Sequence, residues 1–167
     1  LQIISEVRCH VLFCEDEETG GQGAKAFERS GIQIDVNYIV EVDRRGNNDA
    51  VFYNCDNPKF SEFVCSFGFR EAMGSFSDIS VVAPYLKTAA VNISAGYYNE
   101  HRLHEVIDWS AMQNNVERIK QMVQTETGKY PYRKRKLYAG SYFGQQTLFD
   151  IEPAGRDKEK LLMELPE

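Results

Sequence analysis

Val11-Leu12-Phe13-Cys14-Glu15-Asp16-Glu17-Glu18-Thr19-Gly20-Gly21, residues 11–21, passes from an apolar run through adjacent carboxylates into a glycine-rich turn. The apolar run reads as a buried strand, Val7–Cys14, and the turn opens a helix over 20–29. Strand, turn and helix in that order start an α/β unit. Neighbouring side chains on extended or turning backbone point in different directions. One of the two glutamates can therefore bind a metal while the other faces a substrate as a proton carrier. An acidic helix N-terminus accounts for the same residues through the macrodipole alone. Asp43 and His101, further along, stand in settings that also look like metal-ligand positions.

Working outward, Ala24, Ala26 and Phe27 face inward on the first helix, and Gly31 ends it. Ile34, Val36, Tyr38, Val40 and Val42 alternate, so a strand over 34–42 delivers Asp43 at its C-terminal end. Ala50–Asn54 reads as a short strand. Asn57 as cap and Pro58 at the first helical position start a helix through Phe60, Phe63, Val64 and Phe67, ended by Gly68. A loop over 74–78 leads into the apolar run Ile79–Ala83, read as strand, and Ala89–Ile93 forms another. Trp109–Gln124 is a helix capped by Asp108, with Met112, Val116, Ile119 and Val123 as its apolar stripe. The alternation predicts an α/β domain with a mixed, mostly parallel sheet. In such sheets ligand sites gather at the C-terminal edges of strands, where Glu17, Glu18, Asp43 and the segment reaching His101 leave. The domain is expected to span residues 1–128. From Lys129 the chain turns basic and aromatic, so 129–167 reads as an extension: an oligomerisation arm, a clasp or a solvated tail.

With 167 residues the chain has room for one domain with a sizeable core. A net charge of -6 argues against a general nucleic-acid binder, whose surface would be basic. No stretch has the apolar length of a membrane span, and the N-terminus has no basic-then-apolar signal layout. Cys9, Cys14, Cys55 and Cys65 form no CxxC pair, and three of them sit in apolar runs. They are read as reduced and buried, which suits a cytoplasmic chain. His10, inside the expected strand, reads as a satisfied core residue. His101 lies in a loop, where an imidazole can reach a site. His104, three residues on, could support it or lie on the surface.

Four blocks carry a resemblance. Asp-Glu-Glu-Thr-Gly-Gly-Gln-Gly-Ala at 16–24, Glu-Val-Asp-Arg-Arg-Gly at 41–46, Gly-Ser-Phe-Ser-Asp-Ile-Ser at 74–80 and Ser-Ala-Gly-Tyr-Tyr-Asn-Glu-His at 94–101 resemble, in order and approximate spacing, the dinuclear zinc exopeptidases of the aminopeptidase and peptidase-T-like branch. The resemblance covers most of residues 5–125. It implies a three-layer α/β/α catalytic domain hydrolysing peptide bonds with two Zn²⁺ ions, or Mn²⁺ or Co²⁺ in the same cage. Glu17 then looks like the general base, Glu18 like a ligand to one zinc with His101, and Asp43 like a ligand to the other. Asp78 is a candidate for orienting a ligand histidine or the substrate amine, with a loop N-cap as the plain alternative. Tyr97 and Tyr98 are candidates for lining the pocket or supporting an oxyanion, with packing as theirs.

The family also uses an upstream His-x-Asp pair and a bridging aspartate, and this chain opens on Leu1-Gln2-Ile3-Ile4 without them. The expectation is therefore the C-terminal part of a catalytic domain, completed by an N-terminal portion or a complementary chain. Alone it would bind a zinc pair poorly, lack peptidase activity and tend to associate, with a homo-oligomer as one form. A non-peptide amidase or deacylase is the neighbouring alternative, because the metal centre is indifferent to what flanks the carbonyl. A non-catalytic binding module that keeps the fold is the alternative from another class.

Overall fold

In the computed structural model, which describes residues 2–136, a strand forms only where an extended run finds a partner backbone. Ile39–Arg44 (β1) pairs in parallel with Ala90–Ser94 (β4), and the ladder begins where Ile39 N donates to Ala89 O at 3.0 Å. Residues 34–38 keep the alternating exposure expected of them but lie ahead of that point. The strand thus starts later than the sequence pattern suggests and runs past Asp43 to Arg44. β4 pairs antiparallel with Asp49–Val51 (β2), which pairs in parallel with Arg70–Glu71 (β3). The sheet order is β1-β4-β2-β3, mixed and mostly parallel, and the class is α/β as expected. β2 stops short of Asn54 because Tyr53 turns into the left-handed region at φ 48°.

Successive side chains of β4 point to opposite sides of the sheet, and helices cover both. Val91 and Ile93 pack with Phe60 and Val64 of Pro58–Ser66 (α3) and with Ile119 and Met122 of Trp109–Gln124 (α5). On the other side Ala90 meets Ile79 and Ala83 of Ile79–Leu86 (α4). There Val82 and Leu86 pack on Ala24 of Gln22–Arg29 (α2). A short first helix, Gln2–Glu6 (α1), is tied to α5 by Lys120, whose Nζ lies 2.8 Å from Glu6 and 3.0 Å from Glu117.

Several expectations change here. Ile79–Ala83 is helix, not strand: its β-branched residues suit a strand locally, but apolar contacts on two sides suit a buried helix. Pro84 inside α4 forgoes one backbone bond and is kept. Val7–Cys14 belongs to neither sheet, because a strand-like sequence forms a strand only against a partner. Val11, Leu12 and Phe13 are 47%, 45% and 83% exposed, and His10 is on the surface with them. Of the four free cysteines only Cys55 is buried; Cys9 is exposed and Cys14 and Cys65 are half-buried. Ala26 faces outward, while Ala24 and Phe27 face inward as expected. On α5 the buried stripe is Ala111, Asn115, Ile119 and Met122, with Met112, Val116 and Val123 at its flank.

α3 and α5 are capped as read, by Asn57 and Asp108. The basic, aromatic segment Lys129–Lys136 stays with the preceding residues. Tyr130 packs on the core, Ala89 N donates to Tyr130 O at 2.8 Å, and Asp56 N donates to Arg133 O at 2.6 Å. Residues 129–136 thus lie across the domain as a clasp-like segment, here called the clasp; residues 137–167 lie outside the described residues. Among the described residues no helix is long and apolar enough to cross a membrane.

Candidate metal and proton-transfer site

The turn that the opening stretch predicts is closed by Gly20 N and Gly21 N, both donating to Glu17 O at 2.9 Å. Asp16, Gly20 and Gly21 all have positive φ, at 56°, 95° and 67°. Glycine adopts this conformation without the Cβ penalty, so the turn projects Glu17 and Glu18 just before α2 begins. Asp43 sits where the β1–β4 ladder slips register between Val42 and Arg44. A bulge of this kind re-aims a side chain at the end of a strand. Asp43 N is held at 3.1 Å by Asn92 Oδ1, and its carbonyl accepts from the Tyr97 hydroxyl at 3.0 Å.

His101 lies between two short antiparallel strands, Tyr97–Tyr98 (β5) and Val106–Ile107 (β6), with φ 60°. A non-glycine residue held there stores about 1–3 kcal/mol of backbone strain, which clusters at functional sites. Its backbone N–H donates to Glu105 Oε2 at 3.1 Å.

These pieces meet in one open cleft of about 330 Å³. Glu17, Glu18, Asp43, Tyr97 and His101 all line it; Tyr98 and Asp78 do not. Tyr98 pairs with Val106 in the hairpin and is half-buried there. Asp78 stands behind the cleft, 9% exposed, at the start of α4 but making no cap bond with its side chain. Its Oδ1 is without a hydrogen-bond partner among the described residues, and Oδ1 abuts Gly21, where an added Cβ would come within 3.1 Å.

The cleft is an acidic place. Burial raises the Glu17 carboxyl above its usual range, and the charges of Glu18, Asp43 and Asp78 push it the same way against His101. Asp43 is raised by burial, then by Glu18 and Asp78. Glu41, two residues before Asp43 on the same face of β1, is pushed up to about 7, chiefly by burial. Carboxylates crowded in this way favour a cation or a proton among them.

The donor chemistry fits a divalent metal in one respect. His101 Nε2 lies 3.2 Å from Glu18 Oε1. Two donors about 2.0–2.1 Å from a tetrahedral zinc would be about 3.3 Å apart. Among the described residues no group of three or more His, Cys, Asp or Glu side chains converges on a single metal position.

The sequence reading missed the network beneath the cleft. The Ser77 hydroxyl donates to the Glu41 carboxylate, and Asn92 Nδ2 donates at 3.2 Å to both Ser77 Oγ and the Tyr53 hydroxyl. Through Asn92 Oδ1 the same network holds Asp43. The signal was present: Asn92 is the polar interruption of the apolar run Ala90-Val91-Asn92-Ile93, and Glu41 shares the face of Asp43. A buried polar group needs partners, so Asn92 in a central strand already implied a network. No protein-family model, curated protein or solved structure matches the chain.

Proposed function

We propose that the chain belongs to the catalytic domain of a metal-dependent exopeptidase, an aminopeptidase of the three-layer α/β/α zinc type. The observation that carries this reading is the convergence, in one cleft, of Glu17, Glu18, Asp43 and His101 from three separated segments. Glu18 and His101 would hold one cation and Asp43 the other, with the upstream His-x-Asp pair and bridging aspartate that the resemblance implies completing the set. Zinc, when bound, polarises a scissile carbonyl and draws the pKa of water toward neutrality. Glu17 takes the proton from the attacking water and returns it to the leaving amine. A carboxyl raised toward neutrality is suited to both steps. Tyr97 and the Ser77–Asn92 network keep Asp43 in place during them.

The experiment compares Glu17→Gln with Glu18→Ala, His101→Ala and Asp43→Ala in protein that also carries the upstream donors. Metal content and hydrolysis of amino-acid amides are measured together. Glu17→Gln should keep its metal and lose about a hundredfold to ten-thousandfold in turnover, because a proton carrier is removed and the donors are spared. Glu18→Ala and His101→Ala should each weaken one cation and Asp43→Ala the other. Full activity in Glu17→Gln would remove it from catalysis. Unchanged metal content in all three alanine variants would leave the cleft a surface of ion pairs on a non-catalytic module.

A further inference from the structure

The hairpin that presents His101 is fixed firmly at its base. Gly46 N donates to Tyr97 O at 2.8 Å, Gly96 N donates to Gly46 O at 2.9 Å, and Ala95 N donates to Arg44 O at 2.6 Å. Beyond the base the hairpin stands out in solvent, and Asn99 and His101 both hold left-handed backbone, at φ 62° and 60°. The bonds within the tip, from His101 N to Glu105 and from Asn99 Nδ2 to His104 O, tie it to itself. The tie back to the end of β1 is the Arg45 guanidinium, which donates to the carboxylate of Glu100, the residue before His101. Arg45 and Glu100 both line the cleft.

We propose that Arg45 and Glu100 are positioning residues: their ion pair latches the hairpin tip so that His101 stands against Glu18 and the two can share a divalent cation. The inference rests on the metal reading above and goes beyond it, since neither residue is offered as a ligand. An exposed ion pair contributes little to stability by itself. Here it acts on one strained segment whose position sets the separation of two donors. Donors held in place before the ion arrives bind it more tightly than donors that must be ordered at that moment.

Charge alone makes the opposite forecast for one of the two residues. Deleting Arg45 removes a cation from a cleft that holds Glu17, Glu18 and Asp43, which by Coulomb's law should tighten binding of Zn²⁺. Deleting Glu100 removes an anion and should weaken it. The latch requires both deletions to weaken binding.

Zn²⁺ is titrated calorimetrically into protein that also carries the upstream donors, as wild type and as Arg45→Ala, Arg45→Gln, Glu100→Ala and the exchanged pair Arg45→Glu/Glu100→Arg. His101→Ala marks the uptake that belongs to this site. Asp35→Ala, which breaks the remote Lys129–Asp35 pair, controls for charge. Circular dichroism verifies folding, and Arg45→Gln stands in if Arg45→Ala does not fold. The expected result is about two- to fivefold weaker Zn²⁺ binding in each single variant. Recovery in the exchanged pair and no change in Asp35→Ala are expected with it. Tighter binding in both Arg45 variants, or no recovery in the exchanged pair, overturns the latch while leaving the metal reading standing. Wild-type uptake no greater than that of His101→Ala overturns both.

Discussion

Gly23 illustrates what a single residue decides at the turn that carries Glu17 and Glu18. It lies in the first turn of α2, and a Cβ there would come within 2.5 Å of Glu15 N and 2.9 Å of Glu15 O. Gly23 N also donates to Glu15 O at 3.0 Å, so the helix start and the approach to the carboxylate turn are pressed backbone to backbone. Gly23→Ala should therefore force those segments apart, at a cost of about 1–3 kcal/mol in stability. Urea denaturation measures this, and a midpoint equal to wild type would show that the approach is not tight. From the sequence the glycine cluster was legible as a turn, but the contact that demands glycine at 23 was not. The same divide runs through the site residues. Glu17, Glu18, Asp43 and His101 were legible as candidates because their blocks are distinctive, and what the structure adds is the cleft they share. Tyr98 was not separable from Tyr97, because which of two adjacent side chains faces the cleft depends on the pairing of β5 with β6.

Elements were legible where their signals are local. α3 starts at Pro58 behind Asn57, whose Oδ1 accepts from Phe60 N at 3.2 Å, and a cap of this kind needs nothing beyond three residues of sequence. α4 and Val7–Cys14 were misread for the complementary reason, since their apolar, β-branched residues do not say what will pack against them. Asn57 also does something its position in the helix does not announce: its Nδ2 donates to Pro131 O at 2.9 Å, tying α3 to the clasp. Asn57→Ala loses both bonds in a site only 9% exposed and should cost about 1–2 kcal/mol. Asn57→Asp keeps the cap acceptor but sets a carboxylate against the Pro131 carbonyl. If the link to the clasp matters, thermal denaturation should place Asn57→Asp below wild type. Equal melting of Asn57→Asp and wild type would confine Asn57 to capping.

At the scale of the whole molecule, the clasp and one face of the sheet share an aromatic cluster that no local pattern reveals. Tyr38, ahead of β1, packs 5.7 Å from Phe60, 5.4 Å from Phe63 and 6.3 Å from Tyr130 between ring centroids. The cluster brings together residues 38, 60, 63 and 130, so it exists only once sheet, helix and clasp have assembled. Burial, with a smaller contribution from Tyr130, pushes the Tyr38 phenol up to about 12. An unfolded chain releases that proton near about 10. Between those values the folded state binds more protons than the unfolded state, so stability falls as pH rises from about 10 to 12. Below about 10 both states hold the proton and the group is neutral in the balance. Tyr38→Phe keeps the ring and deletes the titration. Its alkaline unfolding midpoint, followed by circular dichroism, should therefore move up by a few tenths of a pH unit, with stability near neutrality little changed. The shift is partial because Tyr97 is also pushed up to about 12, and Tyr53 and Tyr132 are raised by burial as well. An unmoved alkaline midpoint in Tyr38→Phe would mean that the phenol reaches water in the folded protein and that the cluster does not seal the clasp against the sheet.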